Sequence, residues 1–240
     1  MLFDILSAID ITGAAAIVVA FLALALPSAA ARLRAALVLA AWLLVVIALG
    51  ATDALAAQYA GPPGLALAVV VPVAALCWVF FASSAGRAAL LATPLWAPIA
   101  LNALRLLGVS FVVLYAAGRL PAPFAPSAGW GDIFIGATAV PLAFLVARYG
   151  ARANGLVLAW NVIGVLDLVF AIGFGATSSP GPIQIFVGSP TSAMMTTLPW
   201  LIVPAFLVPI FFSLHMAIFY RLRREKSVAP GRTLASPASA

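Results

Sequence analysis

Seven long apolar runs fill most of this chain. A helix needs about 20 apolar residues to cross the ~30 Å hydrocarbon core of a bilayer, and each run is close to that length. The runs span residues 4–26, 35–58, 65–85, 93–118, 130–148, 153–175 and 197–220. Only 8% of the 240 residues are charged, against about 25% in soluble domains. The sequence therefore predicts an all-α integral membrane protein, a bundle of seven transmembrane helices.

The basic residues predict how this bundle is oriented. Arginine and lysine are enriched in the cytoplasmic loops of membrane proteins. Ten of the twelve basic residues fall in loops one, three and five or after the last run, namely Arg32, Arg34, Arg87, Arg148, Arg152, Arg221, Arg223, Arg224, Lys226 and Arg232. Of the rest, Arg105 lies within a run and only Arg119 lies on the opposite side. We therefore expect the N-terminus outside and the C-terminus inside.

Two further features concern the ends of the chain. The first run begins "MLFD", without the lysine or arginine that opens a signal peptide, so we expect a retained helix. Residues 1–222 are predicted to form one transmembrane domain. Residues 223–240, basic and then rich in Pro, Ser and Ala, are predicted to be a disordered cytoplasmic tail that contacts anionic lipids. Eleven arginines against one lysine, with abundant alanine, are typical of a GC-rich bacterial genome and indicate a bacterial inner membrane.

Polar residues within or beside the apolar runs are the candidate site. An ionisable group at the bilayer centre costs about 2.5 kcal/mol or more, so such residues usually face the bundle interior or a water-filled cavity. Helical spacing puts several of them on shared faces, and the depth of each along its run places the carboxylates in the outer half. The predicted polar pocket consists of Asn102, Arg105, Asp167, Asn161, Asp53, Asp10 and Asp132.

Arg105 is predicted to pair with Asp167, the carboxylate closest to it in depth, since a carboxylate stabilises a guanidinium in low dielectric. Three carboxylates in the outer half then face one arginine. The excess requires protonated aspartates or a cation, water or cationic ligand in the pocket. Asp132 also suits a role as a first-turn acid of its helix. His215 is expected ~10 Å toward the inside, away from the others.

Several site classes do not fit this sequence. One cysteine and one histidine exclude cysteine metal sites and bis-histidine haem. The last run has no lysine for a retinal Schiff base, and no phosphate-binding glycine loop is present. We therefore predict no cofactor and no metal. The basic residues are spread over loops and the tail, so we predict no nucleic-acid partner.

Three functions remain open. The favoured one is a protein that binds or transports a small solute, cation or proton at the polar pocket. The alternative is a structural or regulatory subunit whose buried ion pair only fixes helix packing. A membrane enzyme with an Asp acid or base acting on a lipid-like substrate comes last, because the sequence offers no nucleophile–base pair. The expected partners are the bilayer and a small-molecule or cation ligand. Nothing in the sequence sets an oligomeric state.

Overall fold

The computed structural model describes residues 2–56 and 61–228, which form helices and connecting turns without a strand. The α-helices are α1 (Leu2–Leu24), α2 (Ala29–Ala51), α3 (Gly61–Ala82), α4 (Ser84–Ala92), α5 (Trp96–Leu101), α6 (Val109–Ala116), α7 (Phe124–Tyr149), α8 (Asn154–Thr177) and α9 (Val208–Val228). A 3₁₀ segment, Asn102–Gly108, joins α5 to α6, and a π-helical turn, Val203–Leu207, precedes α9. Shorter 3₁₀ turns lie at Gly150–Ala153 and Ser192–Thr196.

The helices are long and apolar enough to cross a membrane, as the sequence predicted. Six stretches meet this description, and they are Leu2–Leu24, Ala29–Ala51, Pro63–Phe80, Trp96–Ala116, Phe124–Thr177 and Val203–Glu225. The fifth stretch contains two helices, α7 and α8, joined by a short 3₁₀ turn. The protein is therefore a helical membrane bundle with six to seven spanning helices.

Helix ends differ from the predicted runs at several places, of which two concern loop three and the C-terminal end. The predicted loop three contains α4, which begins after Ser83, whose hydroxyl accepts a hydrogen bond of 3.0 Å from the N–H of Gly86. This is the usual N-cap arrangement. The last helix continues to Val228, six residues beyond the predicted domain end at residue 222. Residues 229–240 of the predicted tail lie outside the described residues.

Helix α7 lies at the centre of the part of the bundle that carries the site. It packs along α5, the 3₁₀ segment, α6 and α8. Two glycines of α7 permit its close approach to the 3₁₀ segment. A Cβ at Gly136 would lie 2.6 Å from the backbone nitrogen of Leu106, and one at Gly129 would lie 3.0 Å from the carbonyl oxygen of Gly108. Small residues therefore bring the two backbones together, as is common between membrane helices.

The 3₁₀ segment begins at Asn102, whose side-chain amide takes the place of its backbone N–H as the donor to the Pro98 carbonyl. In an α-helix the N–H of Asn102 would bond the carbonyl of Pro98, four residues back. Here it bonds the carbonyl of Ile99, three residues back. The side-chain amide of Asn102 instead donates to the Pro98 carbonyl at 2.9 Å. Asn102 thus supports the tighter winding that begins at its own position and carries Arg105.

The last span begins irregularly because of its prolines. Pro204 and Pro209 have no backbone N–H to donate, so each interrupts the regular hydrogen-bond ladder. The π-helical turn Val203–Leu207 contains the first of these prolines and ends just before the second. After this turn α9 continues regularly and packs against α3 and α8.

Candidate functional site

Arg105 is the centre of a buried ion cluster, which we define as Arg105, Asp132, Asp167, Asn161 and His215. Its guanidinium is almost fully buried. The Nε atom donates to Oδ1 of Asp132 at 2.6 Å, and Nη2 donates to Oδ2 of Asp167. The Nη1 atom lies 3.1 Å from Nε2 of His215 and 3.3 Å from the carbonyl oxygen of Gly164. One side chain therefore joins the 3₁₀ segment to α7, α8 and α9.

Two carboxylates share this guanidinium. Asp167 forms the ion pair that the sequence predicted, and Asp132 forms a second ion pair with Nε. The side chains of Asp132 and Asp167 are 17% and 10% exposed, against 1% for Arg105. When both carboxylates are ionised, the two ion pairs carry a formal charge of −1. The sequence predicted three outer-half carboxylates beside this arginine, whereas the structure places two there, Asp132 and Asp167.

Hydrogen bonding defines the tautomer of His215. Arginine nitrogens only donate, so Nε2 of His215 must accept from Arg105. The Nδ1 atom then carries the hydrogen and donates to Oδ1 of Asn161 at 2.7 Å. The amide nitrogen of Asn161 donates to the backbone oxygen of His215 at 3.0 Å, which fixes the orientation of the amide. His215 is thus a neutral acceptor held by Asn161.

Two glycines make room for the cluster. A Cβ at Gly131 on α7 would overlap the carboxylate of Asp167. A Cβ at Gly164 on α8 would overlap the imidazole of His215, 2.7 Å from its Nε2. Gly164 therefore lets α9, which carries His215, approach α8 closely. Trp160, one turn earlier on α8, packs near the same ring, with its centroid 5.5 Å away.

Two cavities meet at Asp132. The first, which we call the outer cavity, has a volume of about 90 Å³ and extends along α8 to Ser179, beyond its last turn. The second, the small cavity, has a volume of about 30 Å³ and is lined by Arg105 and Gly108 as well as Asp132. Asp132 contributes to the wall of both. A ligand in either cavity would therefore contact a carboxylate that already pairs with Arg105.

Three of the seven predicted pocket residues lie apart from this cluster. Asp10 is exposed on α1, although the sequence predicted it to be buried. Asp53 is also exposed, because α2 ends at Ala51 and Asp53 lies in the following turn with a φ of 52°. Asn102 is buried, and among the described residues its side chain donates only to Pro98 and its Oδ1 has no hydrogen-bond partner. The shared pocket thus keeps Arg105, Asp132, Asp167 and Asn161.

The structure also corrects the predicted depth of two residues. His215 was expected ~10 Å toward the inside, away from the other polar residues, yet it contacts Arg105 directly. The helical part of the last span runs from Val203 to Val228, and His215 lies at its middle. Asp132 suited a role as a first-turn acid of its helix in the sequence. Because α7 begins at Phe124, Asp132 instead lies more than two turns inside the helix.

In the part of the chain that the structure describes, no metal-binding group accompanies the cluster. Within residues 2–56 and 61–228, no three histidine, cysteine or acidic side chains lie close enough together to hold a metal ion. The guanidinium of Arg105 lies between the two carboxylates and pairs with both. The arrangement can exchange a proton or accept hydrogen bonds from a ligand, since each carboxylate has unused acceptor positions.

Comparison with known proteins gives one match. A family model described as "Domain of unknown function (DUF8737)" matches residues 62–223, about two thirds of the chain. All five residues of the ion cluster fall within the matched range. In the same comparisons no curated protein and no solved structure matches the chain.

Proposed function

The chain belongs to this family of unknown function, DUF8737, and we propose that its ion cluster is the binding site for a small cation or for a proton. We also propose that the bundle carrying this site crosses a bacterial inner membrane seven times, with its N-terminus outside. The proposed function covers a protein that only binds this ligand and a protein that binds it as one step of transport. The basic loops and the arginine-rich composition support the orientation and the membrane.

The observation that carries the proposal is the pairing of one guanidinium with two carboxylates. Arg105 balances one of the charges on Asp132 and Asp167, and His215 adds none because it accepts a hydrogen bond from Arg105. An unbalanced charge is costly in a membrane interior. A proton on one carboxylate or a cation beside it removes that cost. The cluster therefore favours a positively charged ligand or a proton.

Access to the cluster is the second support. The side chain of Asp132 is 17% exposed although it lies more than two turns inside α7, and it lines both cavities. Only its Oδ1 receives a hydrogen bond from the described residues. Oδ2 remains available to a ligand that enters the outer cavity. This cavity continues to Ser179 and Ser192, beyond the last turn of α8, at the end of the bundle predicted to face outside.

The test is thermal unfolding of the purified protein in detergent, across pH and with a panel of inorganic cations and small solutes. A ligand that binds the folded state raises the melting temperature. We expect such a rise with a small cation, or a dependence on pH, and we expect Asp167→Asn to abolish it. Asp53→Asn is the matched control, because Asp53 is exposed and asparagine accepts its positive φ.

One observation favours the structural alternative. The Arg105 side chain bonds groups on α7, α8 and α9, so the ion cluster holds four elements together. If the cluster is only structural, Asp167→Asn will lower the melting temperature without altering any response to pH or cations, since none will exist. That result would reject the proposed binding function and direct the search to protein partners. We also propose that the basic C-terminal segment contacts anionic lipids.

A further inference from the structure

The outer cavity has a shape and lining that restrict what can bind beside Asp132. Its wall on α8 extends from Leu168 to Ala176 and continues to Ser179. At 1.5 Å per residue, Leu168 to Ser179 corresponds to about 16 Å along the bundle. Asp132 lies at the buried end of this wall, near Leu168, and Ser179 and Ser192 lie at the other end. The cavity is therefore elongated, with one carboxylate at its deep end.

The remaining lining is apolar. The side chains between the two ends come from α3, α6, α7, α8, the 3₁₀ turn Ser192–Thr196 and the start of the last span, and examples are Leu65, Val69, Phe111, Ile172, Met195 and Val208. A hydrated inorganic ion that entered this cavity would lose its water without gaining other oxygen ligands, which is unfavourable. An alkyl or aryl group would instead bury apolar surface against these walls, which is favourable.

The deep end selects for charge and for hydrogen-bond donors. Oδ1 of Asp132 accepts from Nε of Arg105, whereas Oδ2 receives no hydrogen bond from the described residues. A primary ammonium group has three N–H donors and a single positive charge. It would donate to Oδ2 and balance the charge that Arg105 leaves on the two carboxylates. A carboxylate or phosphate ligand would be repelled by the same oxygens.

We infer that the outer cavity and Asp132 together bind a primary amine that carries one apolar chain. The ammonium group lies at Asp132, and the apolar chain follows α8 toward Ser179 and Ser192. This inference rests on the proposed function and specifies its ligand. It differs from that proposal by requiring the apolar cavity as well as the carboxylates. The two can therefore be tested separately.

The test compares three probes with matched parts. Hexylammonium has both the charge and the chain, methylammonium has the charge alone, and 1-hexanol has the chain alone. Thermal unfolding is measured with the protein in lipid nanodiscs, with each probe at the same concentration. We expect hexylammonium at about a hundred times its Kd to raise the melting temperature by about 5 °C. Methylammonium and 1-hexanol should each give less than half of that rise.

Two variants test the two halves of the site. Asp132→Asn removes the charge and should abolish the response to hexylammonium. Ala171→Leu adds a larger side chain to the wall of the outer cavity and leaves both carboxylates in place, so it should abolish the same response in a bundle with its ion cluster intact. Asp53→Asn, outside the cluster, should keep the response. The second variant keeps the test valid if Asp132→Asn fails to fold.

The outcomes separate the two proposals. If methylammonium or an inorganic cation stabilises the protein as well as hexylammonium does, and Asp167→Asn abolishes this, the binding function stands and the apolar chain is rejected. If hexylammonium stabilises both Asp132→Asn and Ala171→Leu as strongly as it stabilises the unmodified protein, its effect comes from the lipid and the inference is overturned. If no cation, no amine and no change of pH has an effect, both proposals are overturned.

Discussion

Nε2 of His215 accepts a hydrogen bond from Nη1 of Arg105 over 3.1 Å, although the two residues are 110 positions apart in the chain. The ring is neutral in this arrangement, with its hydrogen on Nδ1. It therefore satisfies one arginine donor without adding positive charge to the cluster. The balance of charge is left to one guanidinium and two carboxylates.

Arg105 should contribute far more to the stability of the folded protein than Arg119, which also pairs with an aspartate. Arg105→Gln leaves Asp132 and Asp167 without their cation, and removal of one partner of a buried ion pair costs about 3–5 kcal/mol. The control is Arg119→Gln. Arg119 pairs with Asp4 at 2.8 Å, but both side chains are about two fifths exposed. Such a pair contributes at most about 1 kcal/mol. Unfolding in detergent with each variant measures the difference, and equal losses would contradict the central role of Arg105.

Asn161 should hold the tautomer of His215. Asn161→Leu removes the acceptor for Nδ1–H and the donor to the backbone oxygen of His215, and both groups stay buried. We expect a loss of about 1–3 kcal/mol for the unsatisfied Nδ1–H, whereas the backbone oxygen of His215 keeps its place in the hydrogen-bond ladder of α9. Because the chain has one histidine, ¹⁵N NMR of the ring can be assigned directly. The wild-type spectrum should show hydrogen on Nδ1. A spectrum with hydrogen on Nε2 would refute the acceptor role.

Two glycines of α8 should respond oppositely to the same substitution. Gly164→Ala places a methyl group against the His215 ring, and overpacking of this kind costs about 1–3 kcal/mol. Gly173→Ala meets nothing within 4 Å, so it should be neutral or stabilising by up to about 1 kcal/mol, since alanine is the better helix former. The melting temperatures of the two variants provide the comparison. A neutral Gly164→Ala would mean that α9 moves away from α8 at little cost.

The predicted orientation can be tested with single cysteines. In a Cys77→Ala background, Ser189→Cys lies in the connection after α8, and Ala151→Cys lies between α7 and α8. Both positions are exposed. If the N-terminus is outside, a membrane-impermeant maleimide should label Ser189→Cys in intact cells and Ala151→Cys only after permeabilisation. The reverse pattern would invert the bundle and place the outer cavity on the cytoplasmic side.

The sequence predicted the ion pair of Arg105 with Asp167 because each residue lies near the centre of its own apolar run. A guanidinium at that depth needs a carboxylate, and depth can be read from a run whose ends are known. The ends of the spans that contain these two residues were predicted within a few residues. For this pair, composition and spacing were enough.

The positions of His215, Asp132 and Asp53 depended on helix ends that composition does not reveal. The segment before α7 is rich in proline and glycine and was interpreted as a loop, yet Pro126 falls in the first turn of the helix, where proline is tolerated. The residues before Val203 are apolar but do not form a regular helix, which moves the centre of the last span to His215. The predicted second run spans residues 35–58, whereas α2 spans Ala29–Ala51. The whole helix is therefore displaced toward the N-terminus, and Asp53 lies beyond its end.

Asp10 was misplaced for a different reason. Helix α1 is apolar on nearly every face, so its sequence does not indicate which face packs against the bundle. Depth alone suggested that Asp10 joins the pocket. Its neighbour Ile11 is the residue that packs inward, whereas Asp10 lies on the exposed side. Rotation about a helix axis is set by packing partners, which a single sequence does not supply.

The winding of the segment Asn102–Gly108 has a consequence for the direction in which Arg105 points. A 3₁₀ helix turns 120° per residue and an α-helix turns 100°, and the rises are about 2.0 and 1.5 Å. Over the three steps from Asn102 to Arg105, a change to α-helical winding would swing the arginine by about 60° around the helix axis. Across all seven residues it would also shorten the span by about 3.5 Å. The 3₁₀ winding of Asn102–Gly108 thus sets the direction, around the helix axis, in which the Arg105 guanidinium points toward its two carboxylates.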